Sequence, residues 1–117
     1  MKYLLDTNVL IAMFRGQHGI REAILKAGFE NCIVSEISFA ELLYGAHKAG
    51  YERHSHEINF IKNQFTLLSV SGAIEQYAVL RAQLESGGMR LDNYDLLIAA
   101  AAIAEGLTLV KIGRAHV

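Results

Sequence analysis

The sequence predicts an α/β fold, a three-layer α/β/α sandwich on a parallel sheet. Three observations lead there. Four short apolar stretches, KYLLD (2–6), NCIVS (31–35), TLLSV (66–70) and LTLV (107–110), read as buried strands. Longer segments with helical spacing of apolar residues lie between them. Strands that alternate with helices in this order pair in parallel, with helices on both faces of the sheet.

The elements follow in chain order. TNVLIAMF begins a helix directly after the first strand, with Thr7 or Asn8 near its N-cap. GIREAILKAG puts Ile20, Ala23, Ile24 and Ala27 on one helical face and stops at Gly28. After the second strand, EISFAELLYGAHKA is patterned for a helix through Ile37, Ala40, Leu42 and Leu43. YERHSHEINFIKNQF is a more polar helix, its apolar side expected from Ile58, Phe60, Ile61 and Phe65. AIEQYAVLRAQLES reads as amphipathic and closes at Gly87 and Gly88. NYDLLIAAAAIAEG is apolar nearly all round, so it is expected against the sheet and partly under a second copy of the chain. The chain has no proline, so its turns fall to ten glycines and to Asn, Asp and Ser clusters.

A length of 117 residues fits one domain with a real core. With 52% hydrophobic and 20% charged residues, the balance is that of a globular protein with apolar surface to bury in a sheet or on a partner. A net charge of -1 excludes a global basic field but leaves room for a local basic patch. A single cysteine, Cys32, excludes an internal disulfide framework and reads as a core thiol beside Ile33 and Val34. The apolar run after Lys2 is too short for a signal peptide, and LLIAAAAIA (96–104) is too short to span a bilayer. The expected location is therefore cytoplasmic, away from membranes.

Three carboxylates fall at comparable places. Asp6 ends the first strand, Glu41 lies early in the helix after the second, and Asp95 lies in the first turn of the helix before the fourth. Each has a plainer reading. SFAE (38–41) fits a capping box, DNYD (92–95) fits a cap plus a first-turn acid, and Asp6 could itself be a helix cap. Taken together the plain readings weaken, because chemistry in such folds gathers at the carboxyl ends of strands. Two unit charges about 4 Å apart repel by about 4 kcal/mol at an effective dielectric near 20. No Lys or Arg within the three segments offsets this. A hard divalent ion with oxygen ligands, Mg²⁺ or Mn²⁺, is the economical countercharge. Carboxylates holding such ions are a recurring device for phosphodiester cleavage.

LLDTNVLI, SFAELLYGA and YDLLIAAAA together resemble the three signature segments of PIN-domain ribonucleases, in the VapC-type toxin branch of toxin–antitoxin systems. The resemblance runs from Met1 to Val110. It implies a PIN-like, Rossmann-like sheet and a Mg²⁺- or Mn²⁺-dependent endoribonuclease that cleaves RNA phosphodiesters with metal-activated water. Asp6, Glu41 and Asp95 match the family's catalytic, metal-holding acids. Thr7 matches the supporting hydroxyl beside the first acid, and Asn8 matches the adjacent polar position, where a helix cap is an equal reading. The resemblance also implies a homodimer and a cognate VapB-like antitoxin that lays a peptide over the acidic site. RNA phosphates need basic side chains at the rim, for which Arg15 and then Lys48 are the candidates.

The chain departs from the family pattern at its end. After LTLV the family continues through a Thr/Ser–Asn turn to a further ligand and a fifth, edge strand, and KIGRAHV stands there instead. Residues 1–110 are thus expected to form the PIN domain, with the last edge strand missing, and 111–117 an atypical or non-native tail. IGRAHV is what one reading frame of a widely used sequencing adapter encodes. Competing readings are a catalytically impaired PIN-fold binding module and a housekeeping PIN nuclease without an antitoxin. Two others are weaker: an aspartyl phosphotransferase with Asp6 as nucleophile, which lacks a second acid at Asn8, and a metal-free ribonuclease using His54 and His56, which point to different faces of a helix.

Overall fold

The computed structural model describes residues 1–112, so the expected tail lies outside the described residues apart from Lys111 and Ile112. Four strands form one parallel sheet: β1 (Tyr3–Leu5), β2 (Cys32–Ser35), β3 (Thr66–Leu68) and β4 (Thr108–Val110). Their order is β3-β2-β1-β4, which places β1 inside the sheet. The register sets Leu5 beside Val34 on one side and beside Val110 on the other. Six helices accompany the strands: α1 (Thr7–Phe14), α2 (Ile20–Ala27), α3 (Glu36–Ala49), α4 (Tyr51–Gln64), α5 (Ile74–Ser86) and α6 (Asn93–Glu105). Short 3₁₀ turns at Phe29–Asn31 and Ser71–Ala73, which sequence patterning does not reveal, lead into β2 and α5.

Alternation along the strands divides the core in two. Leu5, Cys32 and Val34 face one side and pack with Val9, Leu10 and Ile61 from α1 and α4. Leu4 and Ile33 face the other side and pack with Ile98 and Ala100–Ala102 of α6. The small side chains of α6 let its backbone lie close to the sheet, as its apolar sequence predicts. Ile103 on the same helix nevertheless remains 55% exposed.

Two expectations fail in detail. Phe60 is exposed at the edge of α4, although its ring meets Phe14, Phe29 and Phe65 edge-on at centroid distances of 6.0, 6.0 and 6.3 Å. α5 buries no residue, because it packs on α6 at the margin of the domain instead of on the sheet. Cys32 is buried, and burial is the first cause that pushes its thiol pKa up, with Glu30 second. Ile112 packs against the first core. No helix among the described residues is long and apolar enough to cross a membrane.

Candidate active site

Asp6 follows β1 and occupies the N-cap position of α1 in extended backbone, φ -69° and ψ 159°. Its main chain is pinned on both sides. The amide donates to Val110 O at 3.0 Å, and the carbonyl accepts from Val9 N at 3.0 Å and Leu10 N at 3.3 Å. The side chain makes no capping hydrogen bond, yet the residue is only 7% exposed. An ionised carboxylate placed so needs a cation or several donors. Burial accordingly pushes the Asp6 carboxyl above its ordinary range. Lys111 opposes this most, followed by the backbone amide of Thr7; the charge of Asp95 reinforces it, and the amide of Asn8 pulls slightly down. Lys111 is next in register after the Leu5–Val110 pair, so a cation absent from the three acidic segments reaches the site across the sheet.

Asp95 lies in the first turn of α6 and is exposed. Asp92 caps that helix by accepting from Tyr94 N at 3.0 Å and Asp95 N at 3.3 Å, as the DNYD pattern predicts. Asp95 is near enough to Asp6 for its charge to push the Asp6 carboxyl further up.

Glu41 departs from its plain reading. α3 starts at Glu36, two residues before Ser38, with Ser35 as its cap; Ser35 Oγ accepts from Ile37 N at 3.1 Å. Ser38 is already helical, so Ser38–Glu41 is not a capping box. Glu41 Oε1 instead accepts from Thr7 Oγ1 at 2.7 Å. Thr7 thereby brings Glu41 to the residue adjoining Asp6. Asn8 is exposed in the first turn of α1.

The donor chemistry suits a hard divalent ion: carboxylate oxygens, one of them buried beside a second charge, and a fully buried Ser38 hydroxyl with no partner among the described residues. Asp6 and Asp95 could hold the ion, and Glu41 could join through its second carboxylate oxygen while Oε1 stays on Thr7. As placed, no group of three or more His, Cys, Asp or Glu side chains among the described residues is arranged around one ion position.

Thr7 and Glu41 also line a groove of about 320 Å³ between α1, α3 and α4. Arg15 lines it too, while Lys48 lies off it, with Nζ 6.0 Å from the centre of the Tyr44 ring. His54 Nδ1 meets Glu57 Oε1 at 2.9 Å in the same groove, whereas His56 faces a separate groove beside Phe60. The two histidines therefore cannot act as one acid–base pair. Sequence reading missed a clamp behind Asp95. Arg81 Nη1 donates to Tyr77 Oη at 2.8 Å, and Tyr77 Oη donates to Asn93 Oδ1 at 3.3 Å, tying α5 to the first turn of α6. The spacing of Tyr77, Arg81 and Glu85 was a legible signal for its α5 half.

Residues 3–113 match the PIN domain. The ribonuclease VapC2 of Rickettsia felis is 33% identical over 114 residues, which cover 94% of this chain and 85% of that one. The ribonuclease VapC2 of Haemophilus influenzae is 32% identical over 113 residues, covering 95% and 86%. Among solved structures, VapBC2 from Rickettsia felis bound to a promoter DNA fragment superposes with a TM-score of 0.85 at 30% identity, over 95% of this chain and 86% of that one. The chain therefore belongs to the PIN-domain family.

Proposed function

We propose that the chain is a Mg²⁺- or Mn²⁺-dependent endoribonuclease, the toxin of a toxin–antitoxin pair. The observation that carries this reading is the buried Asp6 carboxyl, uncapped, facing the charge of Asp95 and flanked by Thr7, which grips Glu41. The relatives are ribonucleases by name, which supports the reaction class. When bound, a divalent ion at such acids supplies Lewis acidity, lowering the pKa of a water and offsetting charge on a phosphate. The chain's own residues do the rest. Asp6, Asp95 and Glu41 hold the ion, and Thr7 orients Glu41. Asn8 supports the first turn beside them. Arg15, in the groove wall, and Lys48, further out, contact RNA phosphates.

The similar VapBC complex supports a VapB-like antitoxin as partner. Exposed apolar side chains on α5 and α6, Ile74 and Ile103 among them, support a homodimer. Function in the cytoplasm follows from an RNA substrate. A second reading, a catalytically impaired binding module, draws support from Glu41 being turned to Thr7 with no three-acid cluster among the described residues.

The decisive assay incubates structured RNA with the chain in Mn²⁺, with the chain in EDTA, and with Asp6→Asn in Mn²⁺. Cleavage is expected in the first alone. Full cleavage in EDTA or by Asp6→Asn would overturn the metal-carboxylate reading, and no cleavage in any arm would favour the binding module. Relief of cellular toxicity by the product of the neighbouring gene tests the toxin role.

A further inference from the structure

Ser38 is completely buried, and its Oγ has no hydrogen-bond partner among the described residues. Ser35, equally buried on the same segment, has its hydroxyl occupied by Ile37 N. A helical serine can ordinarily satisfy itself on the carbonyl four residues earlier, and Ser38 does not. Buried hydroxyls are rarely left so, and the exceptions cluster where a water, ion or reacting group belongs.

Its direction follows from the helix. Successive residues turn about 100°, which places Ser38 between the directions of Glu41 and Leu42 and about one turn nearer the start of α3. Glu41 faces Thr7, and Leu42 packs against the core cluster that contains Leu5 and Val9. Ser38 therefore faces α1 and the end of β1. The register of Leu5 with Val34 sets Ser35, the cap of α3, level with Asp6. The unused hydroxyl thus belongs to the inner wall of the acidic edge, behind the Thr7–Glu41 bond and beside the strand end that carries Asp6.

We propose that Ser38 is a positioning residue of the ion site, its Oγ reserved for a water of the ion's hydration shell. Mg²⁺ and Mn²⁺ bound by few carboxylates keep several waters, and such waters need fixed partners in the surrounding wall. This inference rests on reading the acidic edge as a divalent-ion site.

The test is Mn²⁺ titration of the 117-residue chain by calorimetry, beside melting curves in EDTA, for wild type, Ser38→Ala, Ser38→Cys and Asp6→Asn. Ser38→Ala should lose about tenfold in Mn²⁺ affinity, the typical effect of removing an outer partner. Its melting temperature in EDTA should stay level or rise, because an unsatisfied buried hydroxyl has gone. Ser38→Cys, of nearly the same shape but a weak donor, should lose affinity likewise. Unchanged affinity in both Ser38 variants, with Asp6→Asn weakened, would overturn the role of Ser38 and leave the ion site standing. A lower melting temperature of Ser38→Ala in EDTA would show that Oγ has a partner in the ion-free fold, which also overturns it. Equal Mn²⁺ affinity in wild type and Asp6→Asn would remove the ion site and this role together.

Discussion

The hydroxyl of Thr7 donates to Oε1 of Glu41 at 2.7 Å across 34 residues of sequence. The residue after the strand-end acid thus holds the acid of the next βα unit. Two crossover units are joined where the sheet ends, and both side chains are partly buried there.

Removing that hydroxyl should release Glu41 without disturbing the core. Thr7→Val keeps the shape and loses the donor, so kcat for RNA cleavage is expected to fall by about 10- to 100-fold, the range for a lost outer-shell partner. KM should change little, and Thr7→Ser should retain most of the activity. Steady-state kinetics checks this, and a Thr7→Val enzyme with wild-type kcat would show that Glu41 needs no such hold.

Asp6 should make the ion-free fold less stable. Its pKa is raised above the ordinary 3.8, chiefly by burial, so the folded state takes up a proton more readily than the unfolded one. The resulting penalty is absent below the unfolded pKa, grows as pH rises through the window up to the raised folded pKa, and stays constant above it. Asp6→Asn removes the charge and should melt higher at pH 7 in EDTA, at about 4 °C for every kcal/mol regained in a domain of this size. That gain should vanish as pH falls toward 3.8. Melting curves from pH 3 to pH 8 decide the matter, and a lower melting temperature for Asp6→Asn at neutral pH would contradict it.

Association should depend on the outer face of α5 and α6. Ile74 at the start of α5 is 59% exposed and Ile103 near the end of α6 55% exposed. Ile103→Lys places a charge on that face without touching the core, so light scattering should shift from the mass of a dimer to that of a monomer while the ion-free melting temperature of the subunit holds. A dimer mass in the variant would move the interface elsewhere.

Sequence made the fold legible because the two inner strands give way to a polar residue at a helix start, Leu5 to Asp6 and Val34 to Ser35. It made Asp95 legible through its cap, since Asp92 and Asp95 are close in the chain. The state of Glu41 was not legible, because Ser35 and Ser38 compete as caps and only tertiary structure shows that Ser35 wins. Thr7 and Glu41 meet only after α3 has folded back on α1. Lys111 reaches Asp6 through the pairing of β1 with β4, a register that local pattern does not encode. α5 carries apolar residues at helical spacing, but spacing does not reveal whether a sheet or solvent lies opposite.

β1 is held by β2 on one flank and β4 on the other, and Asp6 is bonded to the end of β4. Interior strands open only with the whole molecule, whereas helices at the margin open in smaller units at lower free energy. Amide hydrogen exchange should therefore be slowest in Leu4 and Leu5 and faster in α5 and the first turn of α6. The three acids then do not share one lifetime. Asp95 departs with its helix start while Asp6 stays in place, so mild heat or denaturant should silence the edge well before the sheet gives way.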